Sequence, residues 1–240
     1  VSRNSAAQIE QALAESGHAT QVIELDTNCA QALLTMHPDV VFPALHGPPG
    51  EDGTVQGLLE MLHLPYVGSD VRGSALAMDK AIAKSVFIRR GLPACEDVIV
   101  HPSDDLFDAA EIIQAKLGPR IALKPLNQGS AIGVQLLPTG GNIAAALKAT
   151  IEYGSCLVEP YIEGREMTVG VLQLGSKCHP HPVIEIRTPK DEWYDYEHRY
   201  TAGQSEHVMP APIAAELSDQ LQAIAVSAHQ ALGLRDLSRA

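Results

Sequence analysis

Four short stretches of the chain hold residues whose types and spacing could do chemistry. The run Lys124-Pro125-Leu126-Asn127-Gln128-Gly129-Ser130-Ala131-Ile132-Gly133 sets a strand lysine ahead of a Gly/Ser loop. Backbone N–H groups of such a loop can close over phosphate oxygens while the lysine supplies a point charge. It is not a Walker A motif, because no Gly-Lys-Ser/Thr ends the loop and a strand rather than a helix follows. A plain hairpin loop would have the same composition. In Glu159-Pro160-Tyr161-Ile162-Glu163-Gly164-Arg165-Glu166, acidic residues end one strand and begin the next. There they could accept bonds from an adenine amino group and ribose hydroxyls, or simply face water. The run Trp193-Tyr194-Asp195-Tyr196-Glu197-His198-Arg199-Tyr200 concentrates three tyrosines, the single Trp and a cation in a chain that is only 4% aromatic. Conspicuous loops of this kind either pack or serve a function. Last, His46-Gly47-Pro48-Pro49-Gly50-Glu51-Asp52-Gly53 follows a buried strand and precedes a helix. That is the carboxyl edge of a sheet, where α/β proteins bind ligands, and His46 and Glu51 are its polar groups; the alternative is a turn shaped by Pro and Gly.

The elements that must position these groups follow from periodicity. Ser5 is placed to cap a helix with Ala6, Ile9 and Leu13 on one face and Gly17 as its stop. Residues 19–25 and 40–45 are expected as strands, residues 30–36 as a short helix, and residues 65–68 as a short strand after a helix bearing Val55, Leu58, Leu59 and Leu62. This alternation predicts a parallel sheet wrapped by helices in a first unit, residues 1–78. A smaller α+β unit over 79–162 opens with Asp79 as N-cap of a helix reaching Arg90. Its strands are expected at 98–100, 121–124, 134–137 and 156–159, with helices near 104–117 and 142–150. A third unit, 163–240, begins with strands at 167–172 and 183–186. After the aromatic loop it continues into a long helix with Ile213, Leu217, Leu221, Ile224, Ala228 and Leu232 on one face and Gly233 at its end.

Composition narrows the function classes. An apolar fraction of 45% and a charged fraction of 19% belong to a globular chain, and a formal charge of −12 repels phosphate backbones and anionic lipid. Nucleic-acid and membrane partners are argued against. No apolar run approaches the ~18 residues of a spanning helix, and the first residues carry no signal core, which predicts a cytoplasmic protein. Cys29, Cys95, Cys156 and Cys178 show no CxxC or Cys/His spacing and are expected as reduced thiols.

In order and spacing, these motifs resemble those of the D-alanine--D-alanine ligases of the ATP-grasp superfamily, over essentially the whole chain. The resemblance is carried by Leu45-His46-Gly47 with residues 50–57, Pro65-Tyr66-Val67-Gly68-Ser69, Ser74-Ala75-Leu76-Ala77-Met78-Asp79-Lys80, Lys124-Pro125 with Gly129-Ser130-Ala131-Ile132-Gly133, Glu163-Gly164-Arg165-Glu166, and Tyr194-Asp195-Tyr196-Glu197 with Tyr200. It implies an ATP-grasp fold, α/β and α+β, and ATP-dependent joining of two D-alanines through a D-alanyl phosphate for peptidoglycan precursors. It implies ATP contacts at Lys80, Lys124, Glu159, Ile162, Glu166, Tyr194 and Arg199, and substrate contacts at His46 and Glu51. Ser130, Tyr200 and Arg239 match the catalytic positions, and Tyr200 favours a dipeptide over a depsipeptide product; D-lactate or D-serine ligation is the nearest alternative, and a non-catalytic nucleotide-binding fragment is another.

Mg²⁺ (or Mn²⁺) and a homodimer are implied too. The resemblance places a substrate-orienting glutamate before Val1 and the metal ligands after Ala240. The chain therefore reads as truncated at both ends, and the 240 residues alone are expected to bind ATP weakly and not to turn over. Arg199 stands where lysine is common in the family and Ala131 where serine is frequent.

Overall fold

The structure is a computed structural model that describes residues 2–189, 193–195, 198–199, 201 and 203–240. Tyr200 lies outside the described residues, as do Tyr196 and Glu197.

The first unit is mostly helical: α1 (Ser2–Glu15), α2 (Cys29–Met36), α3 (Thr54–Met61) and α4 (Val71–Met78). Cys29, Leu33, Leu59 and Tyr66 form its buried cluster, with Ile23, Val41 and Leu62 against it. Helix α1 starts at Ser2, so Ser5 is not its cap; its hydroxyl instead meets His46 Nε2 at 3.0 Å. Parallel pairing is present as one bridge, Val41 to Tyr66, closed by Val41 N–H to Pro65 O at 2.8 Å and Val67 N–H to Val41 O at 2.9 Å. Residues 19–25 form no strand. An extended segment becomes a strand only where a neighbour pairs with it, and none does so here among the described residues.

The second unit follows the expected pattern closely. Asp79 caps α5 (Lys80–Arg89), accepting from the N–H groups of Ala81 and Ile82. Four strands, β1 (Val98–Val100), β2 (Ile121–Pro125), β3 (Gln135–Leu137) and β4 (Cys156–Pro160), make an antiparallel sheet in the order β1-β4-β2-β3. Helices α6 (Leu106–Leu117) and α7 (Ile143–Thr150) cover it, and Val100, Ile113, Ile121, Leu123, Leu147 and Val158 are its buried core. Cys156 lies fully buried there, and burial pushes its thiol up to about 12.

In the third unit the expected strand over 167–172 is two strands, β5 (Glu166–Thr168) and β6 (Gly170–Leu174). The break is Val169, whose N–H and C=O both bond Ala240, at 2.8 and 3.0 Å. One sheet has the order β10-β6-β7, with β7 (Lys177–Pro180) and β10 (Leu237–Arg239). The other has the order β5-β8-β9, with β8 (Ile184–Arg187) and β9 (Glu206–Val208). The long helix α8 spans Ala215–Ala231. Its buried stripe is Ala225, Ala228 and His229 followed by Leu232, whereas Leu217, expected on that face, is 43% exposed. A histidine therefore takes a position that apolar periodicity alone would not assign to the core. Among the described residues no helix is long and apolar enough to cross a membrane.

Candidate functional site

Strands β2 and β4 pair with Lys124 opposite Leu157 and Ala122 opposite Glu159. Lys124 and Glu159 are thus diagonal neighbours on one face. Their side chains join at 2.6 Å through Lys124 Nζ and Glu159 Oε2. The other carboxylate oxygen, Oε1, takes the ammonium of Lys84 at 2.7 Å, and Lys84 also reaches Asp97 Oδ1 at 2.9 Å. Burial works against the Glu159 carboxylate, but Lys124 and Lys84 outweigh it and hold the group below the usual carboxylate range.

Lys80, at the first turn of α5, gives its ammonium protons to the carbonyls of Pro125 (2.9 Å), Leu126 (3.2 Å) and Gln128. It thereby fastens the start of the loop that follows β2. Burial, and then the neighbouring Lys124 charge, lower its pKa. In that loop Ser130 and Ala131 are both left-handed, with φ of 52° and 61°. The loop folds back at Gly133, where a Cβ would lie 2.5 Å from the Tyr153 ring and 2.8 Å from Pro125.

Glu166, at the start of β5, faces three cations. Desolvation by the surrounding protein raises its carboxyl, opposed by Arg199, Arg239 and Lys124. The guanidinium of Arg199 lies 4.2 Å over the ring of buried Tyr194, and its Nε, also buried, finds no hydrogen-bond partner among the described residues. A buried guanidinium N–H without a partner fits an anion-binding wall. On β8, opposite Met167, Glu185 is clamped by Arg165 and by Arg187 at 2.6 Å, and Arg165 first and Arg187 second hold it down to about 2.

Arg239 arrives on β10, which pairs with β6 so that Arg239 stands opposite Gly170. The turn before it is tied to the first unit. Arg235 Nε donates to Gly68 O at 2.7 Å and its guanidinium lies 4.7 Å over Tyr66, while Gly68 N–H donates to Asp236 at 2.8 Å.

The structure therefore brings Lys80, Lys124, Glu159, Glu166, Tyr194, Arg199 and Arg239 around one region between β2, β4 and β5. His46 and Glu51 stand apart from it in the first unit. His46 bonds Ser5, and its backbone N–H donates to Ser2; the Glu51 carboxylate accepts the N–H of Gly47 and shapes its own loop. Ile162 is 67% exposed beyond the end of β4. Sequence reasoning missed Lys84, Asp97 and the Glu185 clamp. The one local signal for Lys84 was its place four residues after Lys80, on the same helix face.

Loop 46–53 ends in a position that only glycine fits. Gly53 has φ +94°, and a Cβ would sit 2.7 Å from the backbone oxygen of Val71. Gly53→Ala combines left-handed strain with a contact that neither backbone can relieve, so a loss of about 3 kcal/mol is expected. Urea denaturation followed by circular dichroism measures it, and a change below about 0.5 kcal/mol, typical of a neutral surface substitution, would show that α3 moves away from α4 freely.

Comparison with known proteins places this geometry. Residues 4–69 match the family described as D-ala D-ala ligase N-terminus, and residues 86–240 match D-ala D-ala ligase C-terminus. A D-alanine--D-alanine ligase of Granulibacter bethesdensis is 41% identical over 243 residues, covering 100% of this chain and 75% of the relative. One from Cereibacter sphaeroides is 42% identical over 239 residues, covering 100% and 74%. Among solved structures, the VanG D-Ala:D-Ser ligase from Enterococcus faecalis is similar with a TM-score of 0.74 and 34% identity, over 84% of this chain and 58% of that one. The D-alanine-D-alanine ligase from Coxiella burnetii has a TM-score of 0.71 and 28% identity, over 84% and 53%. The chain thus spans about three quarters of these curated relatives and less than two thirds of the solved chains.

Proposed function

Since the chain belongs to the D-alanine--D-alanine ligase family, we propose that its protein joins two D-alanines at the expense of ATP, supplying a peptidoglycan precursor. One D-alanine carboxylate attacks the γ-phosphorus, forming an acyl phosphate and releasing ADP. The amine of the second D-alanine then attacks the acyl carbon and expels phosphate. Charge stabilisation dominates such transfers. The observation that carries the reading is the convergence of Lys124, Arg199 and Arg239 on Glu166, beside the loop over 126–134.

In this reading Lys124 holds phosphate oxygens, and Lys80 fixes the loop whose backbone N–H groups close over them. Glu159, Glu166 and the backbone of Ile162 take the adenine and ribose. Tyr194 and Arg199 wall the phosphate side. Arg239 meets the charge that develops on the acyl phosphate and the tetrahedral intermediate. Ser130, with Tyr200, positions the second substrate, and His46 and Glu51 belong to the pocket of the first. Mg²⁺ (or Mn²⁺) accompanies ATP in this reading. Among the described residues, however, no group of three or more His, Cys, Asp or Glu side chains could hold a metal. The described residues do not by themselves supply a ligand set for it.

The test is phosphate release with ATP, Mg²⁺ and D-alanine omitted in turn, using the product of the whole open reading frame. The open-reading-frame product is expected to release phosphate only with all three present and to form D-alanyl-D-alanine. Offering D-serine and D-lactate in competition decides the second substrate, and a product dominated by either would overturn the dipeptide reading.

A further inference from the structure

Lys84 is the least accessible cation of the second unit. It is 8% exposed, in the middle of α5, and none of the chemistry above uses it. It is the second member of a row of alternating charges, Asp97, Lys84, Glu159 and Lys124, with links of 2.9, 2.7 and 2.6 Å. The row crosses the sheet. Asp97 directly precedes β1, whose Val98 pairs with Val158 of β4, and β4 pairs with β2, which carries Lys124.

Access rises from Lys84 toward Lys124. The Lys84 side chain is 9% exposed and that of Lys124 is 35% exposed, with Glu159 at 14% between them. A carboxylate held on one oxygen by a buried, doubly paired ammonium has little freedom to rotate. Its second oxygen then presents a fixed acceptor to the open end of the row.

We infer that Lys84 is a positioning residue of the nucleotide site: with Asp97 it fixes the Glu159 carboxylate, which in turn aims the Lys124 ammonium at the polyphosphate. This rests on the nucleotide reading proposed above. It also adds to the part given to Glu159, whose two oxygens are already engaged by lysines. Its carboxylate serves the phosphate side through Lys124, and each oxygen keeps a lone pair for a further donor such as the adenine amino group. Electrostatics agrees: burial opposes the Lys84 charge, but Glu159 and Asp97 prevail and raise its pKa, while Lys124 and Lys84 lower that of Glu159, so the pairing favours the charged forms of Lys84 and Glu159. Remove the Lys84 charge, and Glu159 has only Lys124 to satisfy it. The ammonium is then drawn back toward the sheet and away from the loop.

The experiment compares ATP, ADP and adenosine binding to the open-reading-frame product by titration calorimetry, with adenosine followed by displacement. In Lys84→Met, similar in length but uncharged, affinity for ATP and ADP is expected to fall roughly tenfold to hundredfold, the range for losing one charge-assisted hydrogen bond. Adenosine, which lacks phosphates, should bind within about twofold of the parent protein. Lys84→Arg keeps a cation between the two carboxylates and should restore most of the ATP affinity. Equal losses for all three ligands would make Lys84 merely structural, and unchanged ATP affinity would overturn the assignment. If Lys84→Met does not fold, Asp97→Asn at the other end of the row replaces it, with a smaller ATP-selective loss expected; equal or absent losses there overturn the inference as well. A parent protein that binds no ATP overturns the nucleotide reading itself, whereas a parent that binds ATP beside an unaltered Lys84→Met overturns Lys84 alone.

Discussion

Replacing Lys124 by methionine is expected to lower D-alanine-dependent phosphate release of the open-reading-frame product by about two to three orders of magnitude, the range for removing one preorganised stabiliser of transition-state charge. Lys124 stands at the accessible end of β2, directly before the loop that begins at Leu126, and its ammonium is anchored on Glu159 at 2.6 Å. An anchored cation loses little freedom when the phosphates arrive, so most of its attraction is available to the transition state. The fold should survive the change. Glu159 keeps Lys84 at 2.7 Å and is not left as an unpaired buried charge, so the penalty of 3 to 5 kcal/mol typical of a broken buried pair is not expected in full. Steady-state kinetics and a urea melt run in parallel separate the two effects. A rate within tenfold of the parent protein, with an unchanged melt, would mean that Lys124 only neutralises Glu159 and that another cation bears the phosphates. Lys124→Arg is the useful control, since it keeps the charge but spreads it over a planar group.

Residues whose role depends on local chemistry were legible in the sequence. Asp79 could be assigned as a cap because a carboxylate before an apolar-periodic run satisfies the first N–H groups of a helix, and it does so for Ala81 and Ile82. Gly233 could be assigned as a helix stop and has φ of 67°. Lys124 and the acidic run from Glu159 were visible because a strand followed by a Gly/Ser loop has a composition of its own. What stayed hidden depends on pairing between distant segments. The partner of Lys84 is Glu159, 75 residues away, and no periodicity in either segment encodes that meeting. The split at Val169 is imposed by Ala240, at the far end of the third unit. Residues 19–25 carry strand composition, yet a strand needs a neighbour that the segment itself cannot specify. Ser5 had the chemistry of a cap and spends it on His46 instead, across 41 residues of sequence.

His229 illustrates the same limit and should give the largest stability change in the third unit. It is 1% exposed on α8, where the apolar stripe would favour a leucine. Its Nε2 lies 2.9 Å from Gln173 Oε1 and its Nδ1 lies 2.8 Å from Ser238 Oγ. The amide nitrogen of Gln173 donates to Gly175 O at 2.9 Å, which fixes which end of the amide faces the ring. An amide oxygen can only accept, so Nε2 carries the proton and Nδ1 accepts from the Ser238 hydroxyl. The imidazole therefore joins β6 to β10, one residue before Arg239. In His229→Leu both partners lose their bonds in a partly buried setting, and a loss of about 2 to 4 kcal/mol is expected. Burial also lowers the His229 pKa, against a smaller opposing pull from Asp236. The unfolded chain takes up this proton near pH 6.5 and the folded one only at lower pH. The stability that neutral His229 confers is thus complete above about pH 6.5 and is lost as pH falls below it toward the folded pKa. The gap between the parent protein and His229→Leu should accordingly be widest at pH 7.5 and shrink toward pH 5, as measured by urea midpoints at both values. A gap that is constant or grows on acidification would show that His229 is already protonated in the fold, and the ring would then have to donate from both nitrogens, with Ser238 as acceptor.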